Sequence, residues 1–403
     1  MDRPPSDPSE EAVLHYRCKV RSVVAPFEVE VPAWETDGHL PRSLFQTLGA
    51  EGLFRERWSA GARGGLRLAH ALVQELAIVN FGAALAVSIH MELFIHALRL
   101  SRESELSALL DSALAGDCVG CFAATERTGG SDLGSLTCRA QAAPKGVRIV
   151  GSKCYVTNAG TATHALIVCQ ENPGRVGVQL VVSDLSGEGV MIDRYIPTTG
   201  VRSADTAELR FDQYVPGSNL LCTGNRALRT TFALLDFERL AAASALLAIA
   251  RHAFTLSRAY LRARHQFGQR LMDHQALRHR LADRWVAIQS VDSHYQRVTD
   301  LAASGHVASG QIAGLKLSAA AMAQSTVDEA IQFFGARGYT EDFPLARMAR
   351  DVRLTRIGGG TDEMMREIIS RGLDRPDARG EELLAAYEGP APGRPLPEGL
   401  QSA

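Results

Sequence analysis

One acidic side chain in this sequence stands where an acid is costly unless it does chemistry. In Leu234-Leu-Asp-Phe-Glu-Arg-Leu-Ala-Ala-Ala243, helical spacing sets Leu234 and Leu235 behind Glu238 and Ala241, Ala242 and Leu246 ahead of it, so its carboxylate projects from an apolar stripe. Burial there raises a carboxyl pKa toward neutrality, the range of a general base. A competing reading leaves Glu238 at the edge of the stripe, snorkelling to solvent or paired with Arg239. Two further segments offer ligand surfaces. Cys121-Phe-Ala-Ala-Thr-Glu-Arg-Thr-Gly-Gly-Ser-Asp132 reads as a strand entering a polar, glycine-bearing turn. The N–H groups of such a turn and its hydroxyls, Thr125 and Ser131, suit a phosphate, a flavin edge or another polar group, although an ordinary strand and turn has the same composition. In Gly151-Ser-Lys-Cys-Tyr-Val-Thr-Asn-Ala-Gly160, Tyr155 and Thr157 are two apart and share one face of a strand, where they can cover one planar ligand or form a plain cross-strand pair. Cys118-Val-Gly-Cys121 has CxxC spacing but runs straight into Phe122-Ala-Ala124 with no second pair, so it reads as buried strand cysteines. His90, on an apolar helical run, reads as a wall or core residue.

The elements that must position these residues fall into three blocks. Up to residue 117 the apolar spacing is helical, as in Leu40 to Leu48 and Leu66 to Val79. From 118 to 222 the texture changes to short β-branched runs (Val147–Val150, His164–Cys169, Val176–Val182, Ala207–Phe211) punctuated by Gly, Pro, Asn and Asp, which predicts an antiparallel β-domain. From 223 to 376 the stretches Gly224–Arg264, His274–Ala303 and Ile312–Phe334 each predict a long helix. Residues 377–403, with Pro390, Pro392, Pro395 and Pro397, predict a disordered tail. The order is α+β, without the βαβ alternation of a doubly wound nucleotide fold, so Gly358-Gly-Gly360 is no Rossmann fingerprint. Forty-six per cent hydrophobic content over 403 residues fills two or three cores, and a net charge of −2 offers no footprint for nucleic acid. The polar, Pro-rich start and the lack of a long uninterrupted apolar run predict a cytoplasmic protein with no membrane partner. Seven scattered cysteines predict free thiols.

From about Val20 to Leu373 the segments resemble the acyl-CoA dehydrogenase family, and they come in that family's order. Phe122 to Asp132 resembles its flavin-facing strand, and Gly151 to Asn158 its Gly-x-Lys-x-[Trp/Tyr]-[Ile/Val]-Thr-Asn signature. Arg264-His-Gln-Phe-Gly268 resembles its Arg-x-x-Phe-Gly segment, and Gln332-Phe-Phe-Gly-Ala-Arg-Gly-Tyr339 its glycine-rich turn. Arg350-Asp351, Gly359-Gly-Thr361 and Arg366 to Arg371 resemble the C-terminal signature. The resemblance implies a helical domain, a central β-barrel domain and a C-terminal four-helix bundle, with FAD between the last two. It implies that the flavin ring lies against Thr125, Tyr155 and Thr157, on the strand that also carries Phe122 and Ala124. Ser131 then meets flavin phosphate or the thioester carrier, and Thr361 with Glu363 the adenosine-diphosphate half. Arg264, Phe267, Gln275 and Gln332 are implied to reach the FAD of a neighbouring subunit, in a homodimer or homotetramer, and Ala336 stands where the family's backbone approaches the pyrophosphate.

Four positions depart from the family pattern. Arg127 replaces Pro, Tyr155 replaces the commoner Trp, and Ala336 replaces Gly. At Gly359 the commoner subfamilies carry the catalytic Glu. Long-chain and isovaleryl-type members instead carry the base in a Glu-Arg-Leu sequence on the first helix of the C-terminal domain, which maps onto Glu238. The implied activity is FAD-dependent α,β-dehydrogenation of an acyl thioester on CoA or a carrier protein, with electrons passing to an electron-transfer flavoprotein. Gly359 is then expected to help hold the thioester carbonyl through its N–H, and Asp236 and Arg239 to contact substrate. Two alternatives keep the fold: an oxygen-using flavin monooxygenase or oxidase, suggested by the altered turn at Gly359, and a thioester-binding protein without catalysis.

Overall fold

The computed structural model describes residues 8–101, 103, 105–171, 177–374 and 377–388; the Pro-rich start before Pro8, Val176 and the tail prolines lie outside them. The N-terminal block is helical from Glu10–Val24 to Glu105–Ala115. Its first helix begins where Ser9 accepts a hydrogen bond from the Ala12 N–H at 3.2 Å, with Glu10 and Glu11 in the first turn against the positive end of the helix dipole. Asn80 ends one helix and caps the next, accepting from the Ala83 N–H at 2.8 Å, and its carbonyl oxygen also receives the Ser203 hydroxyl at 2.8 Å. The run Phe81–Leu100 is long and apolar enough to cross a membrane, but 94% of it is buried inside the protein, as a core helix is. Ile89–Ile95 within it is π-helical and carries Glu92, which forms a buried bidentate pair with Arg57 at 2.9 Å for each bond.

Eight strands follow: β1 (Gly120–Ala123), β2 (Arg139–Ala143), β3 (Gly146–Val156), β4 (His164–Gln170), β5 (Val178–Asp184), β6 (Val190–Tyr195), β7 (Ala207–Pro216) and β8 (Leu220–Thr223). They pair in the order β6-β7-β3-β2-β4-β5-β8. The sheet is mixed and not wholly antiparallel, because β1 lies parallel to β4 (Phe122 opposite Leu166) and β2 touches β4 in parallel at Arg139 and Gln170. Alternation of apolar residues reports which face a strand buries and carries no information on its direction, so this correction was not visible in the sequence. Inside pack Cys121, Cys138, Ile149, Ile167, Cys169, Val181, Leu209 and Phe211. The cysteines are free; five are buried, while Cys18 is exposed.

The C-terminal block is built on Gly224–Ala263, a 40-residue helix roughly 60 Å long. It packs against Ser309–Phe334, Gln275–Ala303, β5, β8 and the N-terminal helix Leu66–Val79, so one rod touches all three blocks. Asp362–Leu373 closes the bundle on Ser309–Phe334. Buried Asp351 accepts the Val201 N–H at 2.6 Å and ties the loop before β7 to this bundle. The backbone approach there is so close that a Cβ on Gly200 would lie 2.4 Å from the Arg350 carbonyl carbon. Within the segment expected to be disordered, Ala378–Glu388 is an α-helix. Its Glu-Glu-Leu-Leu-Ala-Ala run is made of strong helix formers, so local propensity outweighs the lack of a core.

Candidate active site

Glu238 sits in the long helix and is 7% exposed, with Leu234, Ala241 and Leu246 buried along the same stripe. Its Oε2 has no hydrogen-bond partner. Burial raises its pKa above the ordinary carboxylate value, and the charges of Lys316 and Arg239 oppose that rise without cancelling it. Arg239 does not pair with Glu238. Its Nη1 donates to Asp236 at 2.8 Å and its Nε to the Gly359 carbonyl at 2.8 Å, while Asp236 also accepts the Ser309 hydroxyl at 2.6 Å.

The turn over the carboxylate explains the glycine at 359. Gly359 and Gly360 both have positive φ, 64° and 101°, a conformation that other residues adopt at a cost. A Cβ on Gly359 would lie 2.7 Å from Glu238 Oε2, so the acid at 238 and a side chain at 359 compete for one space. The Gly360 carbonyl accepts a bond from buried Lys316 at 2.5 Å. Both carbonyls of the turn therefore point at cations. The Thr361 hydroxyl then caps Asp362–Leu373 by accepting the Met364 N–H at 3.3 Å.

A second polar assembly holds the segment after β1 against β3. Buried Glu126 accepts Lys153 Nζ at 2.7 Å, the Thr137 N–H at 2.7 Å, the Thr137 hydroxyl at 2.6 Å and the Cys138 N–H at 3.0 Å. Lys153 also donates to the Ala124 carbonyl at 3.0 Å, and the Cys154 N–H to the Thr125 carbonyl at 2.9 Å. These bonds place Thr125 beside Tyr155. The alternation expected for Tyr155 and Thr157 is broken, because the register shifts between Lys153 and Val156, Tyr155 has φ 54°, and β3 ends before Thr157. Tyr155 is exposed and Thr157 half-buried, so both still reach solvent where the strand ends. Arg127 folds back onto Glu208, which also accepts Arg194 at 2.9 Å.

The structure thus gathers Glu238, Arg239, Asp236 and Gly359 in one place, and Phe122, Ala124, Thr125 and Tyr155 at another. Ser131 and Glu363 are exposed, and so are Arg264, Phe267, Gln275, Gln332 and Ala336 on the bundle. Phe267 is 94% exposed at the tip of the short hairpin His265–Arg270, with φ 52°. Sequence reasoning passed over Lys316 and the Glu126–Lys153 pair. A lone cation among Ile312, Ala313, Leu315, Ala319 and Ala320 was the available sign of the first.

Residues 121–214 match the acyl-CoA dehydrogenase middle domain and residues 226–373 the acyl-CoA dehydrogenase C-terminal domain. Acyl-[acyl-carrier-protein] dehydrogenase MbtN of Mycobacterium sp. (strain MCS) is 30% identical over 374 residues, covering 90% of this chain and 95% of its own. Mitochondrial isovaleryl-CoA dehydrogenase of Solanum tuberosum is 30% identical over 305 residues, 75% of this chain and 74% of its own. A crystal structure of acyl-CoA dehydrogenase from Geobacillus kaustophilus superimposes with a TM-score of 0.87 at 26% identity, over 91% of this chain and 99% of that one. With two matched domains, near full-length relatives and the same fold, this chain belongs to the acyl-CoA dehydrogenase family of oxidoreductases.

Proposed function

We propose that this protein removes hydrogen from the α and β carbons of an acyl thioester, with Glu238 as the base that takes the α-proton. The observation that carries the reading is a buried carboxylate with one unpartnered oxygen, set against a glycine turn that leaves room for it. A desolvated carboxylate with a raised pKa holds the abstracted proton better than a solvated one, and the unpartnered oxygen has a lone pair to accept it. The Gly359 N–H would help hold the thioester carbonyl, in a turn whose 359 carbonyl is fixed by Arg239. Arg239 holds that turn, Asp236 holds Arg239, and both would contact substrate there.

FAD fits the residues present. Tyr155 and Phe267 expose aromatic rings from left-handed backbone positions, an arrangement that a planar ligand stabilises by covering them. Phe122, Ala124, Thr125, Tyr155 and Thr157 would form one wall of its site, with Ser131 and the helix start at Thr361 and Glu363 reaching its phosphates. Arg264, Phe267, Gln275, Gln332 and Ala336 are exposed on the bundle and would meet the cofactor of a second subunit, which makes the assembly a homodimer or homotetramer. The chemistry that FAD supplies when bound is acceptance of the β-hydride. The thioester is borne by CoA or a carrier protein, the electrons leave to an electron-transfer flavoprotein, and the setting is cytoplasmic. The altered residue at 359 no longer motivates oxygen chemistry, since a glycine there leaves Glu238 its space.

The test is anaerobic mixing of the yellow holoprotein with a panel of acyl-CoA and acyl-carrier substrates. Bleaching of the flavin without oxygen is the expected result. Turnover only with oxygen and an external reductant would replace this reading with the monooxygenase one, and protein that takes up no FAD would replace it with the binding-protein one.

A further inference from the structure

Lys316 is 1% exposed, yet no carboxylate among the described residues forms an ion pair with it. Among the described residues its hydrogen bond goes to a neutral carbonyl, that of Gly360. A buried ammonium without a direct counter-ion is costly and calls for a reason. Resting on the assignment of Glu238 as base, we propose that Lys316 is a positioning residue for proton transfer: it anchors the Gly359-Gly360 turn and supplies the buried positive charge that keeps Glu238 ionised and ready to accept a proton.

Two independent features carry this. Geometrically, the turn is held from both sides, Arg239 on the Gly359 carbonyl at 2.8 Å and Lys316 on the Gly360 carbonyl, so the backbone facing Glu238 is fixed in place. Electrostatically, the charges around Glu238 are unequal in what they can give it. On its own helix, Arg239 is engaged by Asp236 at 2.8 Å, which neutralises much of its field. On the bundle side, Asp362 faces Lys316 but is bound by Arg356 at 2.6 Å. From the N-terminal block, His96 packs edge-on against Phe237 at 4.6 Å and is held neutral by burial, its pKa pushed down to about 3. Behind it, Glu92 and Arg57 cancel each other. Lys316 is the unneutralised cation of this set. Burial pushes its own pKa down to about 8; Glu238 and Asp362 act to raise it and Arg239 to lower it.

A cation that favours ionised Glu238 lowers its pKa, so removing that cation must raise it. The experiment compares Lys316→Met, Lys316→Gln and Lys316→Arg holoenzymes with the wild type and with Glu238→Gln. Two quantities are read: the acid limb of anaerobic flavin reduction against pH, and the infrared carboxyl band that Glu238→Gln abolishes. In Lys316→Met both should move to higher pH by about one unit, the usual scale for losing one nearby opposite charge. Activity should recover at higher pH with KM little changed, and Lys316→Arg should restore the limb. Lys316→Gln keeps a donor without the charge and carries the test if the Met variant does not fold. A folded, flavin-loaded Met or Gln variant whose limb and band stay in place overturns the proposal, while the loss of activity in Glu238→Gln leaves the base assignment standing. Glu238→Gln retaining normal flavin reduction overturns both together.

Discussion

The protein buries two glutamate–lysine sets that share their chemistry and differ in almost everything else. In the β-domain, Glu126 and Lys153 touch at 2.7 Å, and three more donors fill the carboxylate. Burial pushes the Glu126 pKa up, but the hydrogen bond and charge of Lys153 and the bonds from Thr137 outweigh it and hold it below the ordinary value. In the bundle, Glu238 and Lys316 are kept apart, one oxygen of the acid is left unpartnered, and burial wins, raising the pKa. A satisfied pair is a brace, since it has no free lone pair and no reason to change protonation. An unsatisfied one is unstable in the folded state, and that stored cost is what a proton acceptor needs. Burial alone therefore does not mark an active-site acid, nor does an unpartnered oxygen, which buried Asp205 also has; what sets Glu238 apart is the glycine turn at 359 that meets that oxygen.

The comparison can be broken from either side. The largest effect is expected from Glu238→Gln: flavin reduction by substrate should fall by about 10²–10⁴ with little rise in KM, because only proton acceptance is removed. The same change should leave the melting temperature at neutral pH unchanged or higher. A carboxyl whose folded pKa is raised stabilises the fold less as pH climbs past its unfolded pKa, so the amide relieves a cost. For Lys153→Met the opposite holds, with folding stability falling by about 3–5 kcal/mol as Glu126 loses its partner. The contribution of Glu126 is full above its unfolded pKa and is lost as pH falls through its lowered folded pKa, so the penalty should shrink in acid; urea titrations at several pH values read this out.

Smaller effects sharpen the geometry. Gly359→Ala should slow flavin reduction by about 10–100-fold in a protein that still folds, since the new Cβ meets a movable carboxylate oxygen and displaces the base. Retained wild-type rates would show that Glu238 has room to spare. Arg127→Ala should change neither melting temperature nor activity measurably, because the arginine is exposed and Glu208 keeps Arg194.

Much of this was legible in the sequence, and what was not has physical causes. The apolar spacing around Glu238 told of its burial because a helix encodes its faces locally. The match between Glu238 and Gly359 was visible as a motif, but its reason, one space shared by two residues 121 positions apart (359 against 238), needed coordinates. Lys316 was hidden for a similar reason, as its role depends on a carbonyl 44 positions away. Strand direction at β1 and the register shift at Tyr155 left no trace in alternation, and helix Ala378–Glu388 was masked by the prolines that follow it.

Infrared titration of the two carboxyl groups, each band assigned by its own Glu→Gln variant, bears most directly on the contrast between brace and base. The Glu238 band should persist above the ordinary carboxylate value of about 4.3 and the Glu126 band should vanish below it. Glu238 ionising at the same pH as Glu126, or at a lower one, would contradict that contrast.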